Sequence, residues 1–471
     1  MRLSKVFFCA ILACSFNTKH YCYTQADLVE KIKEEKVDFI QLLFTDLFGQ
    51  PKSCTFTQHV AESILKNGAS FDGSSIPGYA SITKNDLLLV PDANTFKILP
   101  WTKEKNKTAV MICDVCYADG TAHPGCTRSL LKKEEEKAKN IGYTFYTSPE
   151  LEFFIFKKKK QPAKKHLTKP DYIKLPDEKG YCECTEDDPT YLVKQEILNI
   201  LTEMGLEPEK FHHEVAPSQH EITTKYSPSL KTADNLTIVK KVIKQVANDH
   251  GLNVTFMAKP LFGQNGSGMH INYSLFDTQN NKNAFFDPEK TYLLSDLAKH
   301  FIAGNLKYVR EFNALLNPTI NSYKRLVKGY EAPVYICWGP KNRSVLIRIP
   351  ENNQKDANAT RAEIRSPDPM CNPYLAFAVI LKSGLEGIIN KEEPEAATTE
   401  NIFALSDEEL ESKGIASLPA SLEQAIEELR KSSFVKELLG SQLFSEFIRL
   451  KGKEIKEFNT TVTNWELERY L

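Results

Sequence analysis

The sequence lacks the long apolar runs and the charge imbalance that are typical of membrane-spanning and nucleic-acid-binding proteins. No apolar stretch reaches the ~20 residues that a helix needs to cross a bilayer. The 60 basic and 61 acidic residues leave a formal net charge of -1, so nothing overall favours nucleic acid or an anionic membrane. The 471 residues, 41% hydrophobic and 26% charged, are enough for two or three domains of an ordinary soluble globular protein.

A disulfide framework is also missing. The eleven cysteines are odd in number and irregular in spacing, which is typical of reduced thiols in a cytosolic protein. Cys113 and Cys116 form a Cys-x-x-Cys, and Cys182 and Cys184 form a second close pair. A zinc site built from these four is the alternative. We favour structural thiols, because a second Cys-x-x-Cys is absent and Cys113 lies in an apolar run typical of a buried strand.

Two common nucleotide-binding signatures are absent as well. Asn265-Gly266-Ser267-Gly268 is rich in glycine, but no Gly-Lys-Ser/Thr follows, so it is not a Walker A loop. No Gly-x-Gly-x-x-Gly occurs either, and a P-loop or Rossmann enzyme is therefore not indicated. The small residues at 265–268 would instead let the polar end of a substrate approach the backbone.

Periodic sequence starts near Thr24, after a leader of 23 residues. In the leader, Arg2 and Lys5 precede an apolar stretch from Val6 to Cys14, which is similar to a short signal peptide. The alternatives are a disordered extension or a start codon placed too early, and we favour these. From Thr24 on, a capped helix to Glu35 and strands at 37–45, 87–90 and 109–115 predict a small sheet-rich domain over residues 24–120.

Residues 121–471 alternate predicted helices and strands and are predicted to form a larger domain. A long polar loop is predicted at 318–333, and the helices are predicted at 124–140, 192–204, 236–250, 293–312 and 373–389. Potential ligands for a hard divalent cation recur along this part. They are five carboxylates and one imidazole: Glu150, Glu152, Glu214, Glu221, His270 and Glu363.

These ligand types predict two bound metals. Oxygen ligands with one histidine suit Mg²⁺ or Mn²⁺. Glu150 and Glu152 point the same way from a predicted strand, because side chains two residues apart in a strand share a face. Such like charges would oppose folding unless a cation neutralised them or water solvated them. Two metals in turn suggest phosphoryl chemistry.

Five arginines and two further acids add to this chemistry. The arginines are Arg325, Arg343, Arg348, Arg361 and Arg365. Guanidinium groups bind phosphates with forked hydrogen bonds, so this cluster is expected to bind a nucleoside triphosphate. One or two of the five are expected to pair with nearby acids instead. Glu331, in Gly-Tyr-Glu-Ala-Pro on the long loop, is a candidate lid residue and general base. Asp46 lies at a predicted turn, where aspartate on its own indicates little.

Together these phrases resemble type I glutamine synthetase, with the length and tail of its alpha subtype, from about Thr24 to Leu471. The match includes all six potential metal ligands and the motifs at 44–46, 71–76, 317–325 and 365–369. The resemblance implies an α+β fold of the glutamine synthetase/guanido kinase-like kind. It would have a β-grasp-like N-terminal domain, and a catalytic domain with a curved antiparallel sheet flanked by helices.

The resemblance also implies an activity: ligation of ammonia to the γ-carboxylate of L-glutamate, with ATP, through γ-glutamyl phosphate. The implied cofactors are two or more Mg²⁺ or Mn²⁺ ions, with ATP as co-substrate. Glu152, Glu214 and Glu221 would hold the first metal. The second would be held by Glu150, His270 and Glu363.

The remaining site residues follow from the same resemblance. Glutamate would contact Asn265, Gly266, Arg325, Glu331 and Arg365. The nucleotide would contact Glu209, Tyr226, Ser274, Arg343, Arg348 and Arg361. The catalytic set would be Asp46, Glu331 and Arg343, and Asp46 would be donated by the neighbouring subunit to form the ammonium pocket with Glu331.

The implied assembly is a dodecamer of two stacked hexameric rings, with a C-terminal tail at 465–471 that reaches into the opposite ring. A cytoplasmic location is expected, because ATP-dependent chemistry belongs where ATP is. Three positions depart from the family pattern. Phe403 replaces the tyrosine that bacterial relatives adenylylate, Ser81 stands in place of an arginine linked to glutamine feedback, and Lys328 replaces a flap proline.

Three alternatives remain open. A ligase joining glutamate to another amine would share the metal ligands but alter the ammonium pocket, and both Asp46 and Glu331 are present. A structural assembly of the same fold would have lost metal ligands, and none is lost. A phosphagen kinase with a related catalytic sheet would not need five metal-ligating carboxylates.

Overall fold

The computed structural model describes residues 24–79, 85–158, 174–352 and 356–471. The leader at 1–23 and Ser81 lie outside these ranges. The strands are β1 Phe39–Thr45, β2 Pro51–Thr57, β3 Ala69–Asp72, β4 Asp86–Pro91, β5 Lys97–Ile98, β6 Thr108–Cys116, β7 Tyr143–Lys157, β8 Pro208–His213, β9 Gln219–Thr224, β10 Ser227–Pro228, β11 Leu252–Thr255, β12 Met269–Asp277, β13 Trp338–Pro340, β14 Ile347–Ile349 and β15 Ala362–Ile364.

The same ranges contain twelve α-helices. They are α1 Gln25–Glu34, α2 Ala61–Asn67, α3 Thr127–Asn140, α4 Tyr191–Glu203, α5 Ser229–Asp249, α6 Asp296–Leu316, α7 Ser322–Arg325, α8 Pro373–Asn390, α9 Asp407–Ser412, α10 Leu422–Lys431, α11 Ser433–Thr460 and α12 Asn464–Tyr470. Among the residues described, no helix is both long and apolar enough to span a bilayer.

The N-terminal part is a six-stranded sheet with the order β2-β1-β6-β4-β3, and β5 pairs with β6. The predicted helix start is confirmed, since the Thr24 hydroxyl accepts from the Asp27 backbone N–H and the Asp27 side chain accepts from the Thr24 backbone N–H. Leu28 and Ile32 of α1 are buried against the sheet in a core with Leu42 and Met111. This amphipathic packing explains why the helix forms on that face.

The larger part is a nine-stranded sheet with the order β13-β14-β15-β12-β7-β9-β8, while β10 and β11 also pair with β7. Every pair is antiparallel except β13–β14, which is parallel, so the sheet is mixed rather than purely antiparallel as predicted. Phe153 and Ile155 of β7 are fully buried beneath it, as predicted. The opposite face carries Glu150 and Glu152, and it is this face that holds the site.

Helices α6 and α8 cross closely beneath the sheet, and glycine permits the approach. A Cβ at Gly304 of α6 would lie 2.0 Å from the Ser383 carbonyl oxygen, and one at Gly387 of α8 would lie 2.1 Å from the His300 carbonyl oxygen. Asn305 ties the same pair together, because its Nδ2 donates to the Ile380 carbonyl and to the Ser383 hydroxyl. The sheet therefore rests on a rigid helical layer.

A buried arginine joins the two parts of the molecule. Arg128, at the start of α3, donates to Asp92 and Asp114 of the N-terminal part and to Asp234 of α5. Its side chain is only 3% exposed, so removing any one partner would leave a buried charge less well compensated. Because Arg128 of α3 contacts both parts, the boundary at residue 120 stays a prediction.

Two local features differ from the sequence predictions. The long loop at 318–333 contains the short helix α7, which ends at Arg325. Glu214 follows β8 instead of lying on it, because Ser218, with φ +59°, and Pro217 form a tight turn. Cys113 and Cys116 are buried on β6 while Cys182 and Cys184 are exposed, which agrees with structural thiols.

Candidate active site

Strand register brings the predicted metal ligands together on one face of the large sheet. Glu150 on β7 lies opposite His270 on β12, and Glu152 lies opposite Glu221 on β9. Glu363 on β15 lies opposite Asn272, two residues from His270. Directly opposite residues on adjacent strands have neighbouring side chains, so the acids converge because the strands pair in this register.

One cluster of possible ligand atoms contains Glu150, His270 and Glu363, all within 4.8 Å of one another. His270 Nδ1 lies 3.1 Å from Glu150 Oε2 and 3.7 Å from Glu363 Oε1. Asn272 Nδ2 donates to Glu150 Oε1 at 3.0 Å, which fixes the carboxylate from its other side. This is the set that the sequence assigned to the second metal.

A second cluster contains His212, Glu214 and Glu221, again within 4.8 Å. His212 Nε2 lies 3.0 Å from Glu214 Oε1, and its Nδ1 lies 3.8 Å from Glu221 Oε1. The sequence grouped Glu152 with these two acids and did not select His212. Glu152 instead has Oε2 engaged by the Gln219 side chain and by the Gly268 backbone N–H, each at 2.9 Å.

The electrostatics of this face fit divalent cations. Burial, with the nearby Glu214 charge, raises the pKa of Glu152 to about 8. Burial, with the charges of Glu150, Glu152 and Glu214, raises the pKa of Glu221 to about 9. Burial also raises the pKa of Glu150, but hydrogen bonds from His270 and Asn272 outweigh it and lower the value to about 2. Carboxyls that repel one another in the metal-free chain are the groups that a cation would neutralise.

The predicted arginines surround the acids. Arg348 Nη1 donates to Glu363 Oε2 at 2.6 Å, and Arg365 Nη1 donates to Glu363 Oε1 at 2.8 Å. The expectation that one or two arginines pair with acids is thus confirmed for these two. Arg361 Nε donates to Asn272 Oδ1 at 2.9 Å. Arg325 is buried and donates to the carbonyls of Arg365, Ser366 and Pro367.

A cavity of about 190 Å³ is enclosed by these groups. It is lined by all of the predicted metal ligands except Glu363, and by Asn265, Gly266, Glu331 and all five predicted arginines. Side chains that the sequence analysis did not select also line it: Tyr181, Lys210, His212, Gln219 and Tyr330. His212 and Gln219 could have been found, because they lie in the same short phrase as Glu214 and Glu221. Tyr181 and Lys210 carry no comparable signal.

A second cavity of about 420 Å³ adjoins the first, since Glu150, Lys210, Glu221 and Arg361 line both. Its further lining residues include the predicted nucleotide contacts Glu209, Tyr226 and Ser274. Tyr226 stacks on Phe276 with ring centroids 6.0 Å apart. The structure therefore groups Glu209, Tyr226 and Ser274 beside the acid cluster, whereas Arg343 and Arg348 line the first cavity with the acids.

The structure does not bring Asp46 into either cavity. Asp46 is buried, and its Oδ1 accepts from the backbone N–H groups of Phe48 and Gln50. Its Oδ2 lies 3.4 Å from Lys52 Nζ. Within one chain, Asp46 is therefore a turn residue, and its donation to a neighbouring subunit stays a prediction.

Two family models match the chain over nearly its whole length. The model described as "Glutamine synthetase, beta-Grasp domain" matches residues 36–118, and "Glutamine synthetase, catalytic domain" matches residues 124–470. This chain belongs to the glutamine synthetase family. The predicted family and fold class are confirmed, and so is the predicted enzyme class, a glutamate–ammonia ligase that synthesises glutamine with ATP and divalent metals.

Curated relatives and solved structures agree. Glutamine synthetase of Thermotoga maritima is 48% identical over 93% of this chain and 98% of its own, and that of Methanosarcina mazei is 47% identical over 96% and 98%. The Plasmodium falciparum glutamine synthetase structure is 28% identical, with a TM-score of 0.84 over 95% of this chain and 99% of its own. A GmaS/ADP complex is 29% identical, with a TM-score of 0.82 over 94% and 99%. The roles of individual residues stay predictions.

Proposed function

We propose that the face of the large sheet described above makes L-glutamine from L-glutamate, ammonia and ATP, with Mg²⁺ or Mn²⁺ at two positions. The observation that carries this proposal is the meeting of five carboxylates, two histidines and five arginines around one small cavity. Opposite charges in such numbers suit a substrate that itself carries several phosphate and carboxylate groups.

Two trios would hold the cations. Glu150, His270 and Glu363 would hold one, as predicted, and Glu214 and Glu221 with Glu152 the other. The distances within the two observed clusters support the first trio and the pair Glu214 and Glu221, and the raised pKa values of Glu152 and Glu221 support the presence of a cation beside both. When bound, the cations supply charge neutralisation for the transferring phosphoryl group and for the γ-carboxylate of glutamate.

The arginines would orient the substrates. Arg343, Arg348 and Arg361 would face the ATP phosphates, with Glu209, Tyr226 and Ser274 around the adenosine in the larger cavity. The ADP bound by the structurally similar GmaS protein supports nucleotide binding by this fold. Arg325, Arg365, Asn265 and Gly266 would receive glutamate, and a side chain at Gly266 would collide with the Ala258 carbonyl oxygen at 2.2 Å.

The reaction would proceed in two balanced steps. The γ-carboxylate of glutamate attacks the γ-phosphorus of ATP, the bond to the β,γ-bridging oxygen breaks, and ADP leaves. Ammonium then loses a proton to Glu331 or to Asp46 of a neighbouring subunit, and ammonia attacks the γ-carbonyl carbon of γ-glutamyl phosphate. The adduct loses a second proton from its nitrogen to the departing phosphate, the bond from the γ-carbon to the phosphate oxygen breaks, hydrogen phosphate leaves, and L-glutamine remains. Arg343 would stabilise the negative charge of the phosphoryl group during transfer.

A dodecamer of two hexameric rings fits the character of the C-terminal helix α12. Trp465 and Tyr470 are 60% and 72% exposed, so the tail presents aromatic surface that assembly would cover. The cytoplasm is the proposed location, since ATP is the co-substrate. Light scattering of the full chain tests the assembly, and a mass near that of one chain would contradict it.

The activity is tested by an ammonium-dependence assay on the full chain. Glutamate, ATP and Mg²⁺ or Mn²⁺ are supplied with ammonium, putrescine or ethanolamine, and released phosphate and amide product are both measured. We expect phosphate release that requires ammonium and matches glutamine formed one to one. Amine-dependent phosphate without ammonium-dependent phosphate would support the glutamate–amine ligase instead, and no phosphate with any amine would overturn the proposal.

A further inference from the structure

A lysine outside the predicted site contacts the loop that carries Glu331. We call residues 327–331 the lid. Lys259 Nζ lies 3.6 Å from the centroid of the Tyr330 ring, which is well within the ~6 Å at which a cation is attracted to an aromatic face. Tyr330 directly precedes Glu331, and both line the smaller cavity. The contact therefore joins the lid to the segment around Lys259, which precedes the Asn265 and Gly266 that line the cavity.

Lys259 itself is firmly held. Its backbone N–H donates to Asn321 Oδ1 at 2.7 Å, and Asn321 Nδ2 donates back to the Lys259 carbonyl at 2.9 Å. Its ammonium also donates to the Gln264 carbonyl. These contacts fix the lysine against the segment that leads to α7, so Lys259 is preorganised for its contact with Tyr330.

The lid, in contrast, is held loosely by its other contacts. Asn265 Nδ2 reaches Glu331 Oε2 at 3.4 Å, and Arg365 Nη2 reaches the Glu331 carbonyl at 3.5 Å, both at the outer limit of hydrogen bonding. Lys328 Nζ donates to the Leu405 carbonyl at 3.2 Å. Glu331 has φ +56°, a conformation that non-glycine residues rarely adopt without external support.

We propose that Lys259 is a positioning residue that holds the lid over the substrates through the Tyr330 ring, and so places Glu331 at the ammonium pocket. This inference rests on the proposed function of the site. The lid shields γ-glutamyl phosphate from water. When it opens, water attacks the γ-carbonyl carbon, phosphate leaves, and glutamate is regenerated, so that ATP is consumed without glutamine.

The first test measures lid opening without any substrate. Trypsin cleaves after Lys328 when the lid opens, and mass spectrometry identifies the fragment that ends there. Tyr330→Leu removes the aromatic face and Lys259→Met removes the charge at similar size, and we expect either to speed cleavage about 2- to 30-fold. The matched controls Tyr330→Phe and Lys259→Arg keep ring and charge, and should stay within about twofold of the original chain.

The second test measures coupling in the assembled enzyme. We expect Tyr330→Leu and Lys259→Met to raise the KM for ammonium and the phosphate released per glutamine, each about 2- to 30-fold. The double variant Lys259→Met/Tyr330→Leu should be no worse than either single variant, because the two side chains act through one contact. A merely structural role would move the unfolding temperature without changing the phosphate-to-glutamine ratio.

Three results would overturn the inference: equal cleavage rates in Tyr330→Leu and Tyr330→Phe, multiplying effects in the double variant, or an unchanged phosphate-to-glutamine ratio in both single variants. If Lys259→Met does not fold, Lys259→Gln, uncharged but polar, takes its place. Failure of the proposed function looks different, because the unaltered chain would then form no glutamine at all. If the unaltered chain is active but the effects of the two single variants add up in the double variant, only the role of Lys259 is contradicted.

Discussion

The acid cluster and the lid are built in opposite ways. The acids sit on paired strands, where Glu363 is fully buried and both of its oxygens accept hydrogen bonds from arginines. Glu331 is exposed and has a positive φ, and among the residues that the structure describes its hydrogen bonds are the contacts of 3.4 and 3.5 Å. Metal ligands need fixed geometry, whereas a lid has to open for substrates, so each construction matches the role proposed for it.

The largest effect is expected from a mutation in the acid cluster. Glu363→Ala should lower kcat/KM by about 10⁴-fold, the equivalent of several kcal/mol lost from charge stabilisation. It should also lower the unfolding free energy by about 3–5 kcal/mol, because Arg348 and Arg365 lose their carboxylate partner. Activity and chemical denaturation measure the two losses together. Unchanged stability would show that the pairing is not structural.

Glu331→Ala should affect turnover alone. We expect kcat to fall by about 10³-fold, within the range for general acid–base catalysis, while Mn²⁺ affinity and unfolding free energy stay within about 0.5 kcal/mol. Glu331→Gln is the matched control that keeps the shape and should be as inactive. If Glu331→Ala also weakened Mn²⁺ binding, the two regions would not be separable.

A mutation that weakens the β8–β9 hairpin is expected to have an intermediate effect on metal binding. Asp177 Oδ1 accepts from His213 Nε2 at 2.8 Å and from the Ser218 backbone N–H at 3.1 Å, and so braces the turn between Glu214 and Glu221. Asp177→Asn should weaken Mn²⁺ binding about 10-fold, as loss of outer support does at other metal sites. Asp119→Asn is the control, since Asp119 caps an exposed turn in the N-terminal part. Equal Mn²⁺ affinity in both would contradict the bracing role.

A further effect is the pH dependence of the metal-free chain. Burial and neighbouring charges raise the pKa of Glu152 to about 8 and of Glu221 to about 9, so the folded state favours their neutral forms. That stabilisation is complete below the ordinary glutamate value of 4.5 and is lost as the pH rises through 8 and 9.

Thermal unfolding of the metal-free chain between pH 6 and pH 9 measures this loss, which should appear as a falling transition temperature. Saturating Mg²⁺ or Mn²⁺ should reverse the slope, adding about 2.7 kcal/mol per site at 100 times the Kd. A transition temperature that rises with pH without metal would show that the two carboxyls are not destabilised by their neighbours.

Much of the site was predictable because each ligand lies in a short sequence motif with its own local geometry. The alternation of β7 already placed Glu150 and Glu152 on one face and Phe153 on the other. The capping box at Thr24 and the helices α3, α4 and α8 were also local signals. The parallel β13–β14 pair and the short helix α7 were missed, since strand direction and a single helical turn depend on distant partners.

The sequence by itself determined which side chains are available and toward which face of a strand or helix each one points, since both depend on the local periodicity of the backbone. Only the tertiary structure decided the partners. It placed Arg348 on Glu363, the amide of Gln219 on Glu152, and Lys259 on Tyr330, across separations of 15 to 71 residues that no local pattern encodes. The physical reason is that such contacts depend on strand register and loop packing, which are properties of the whole chain.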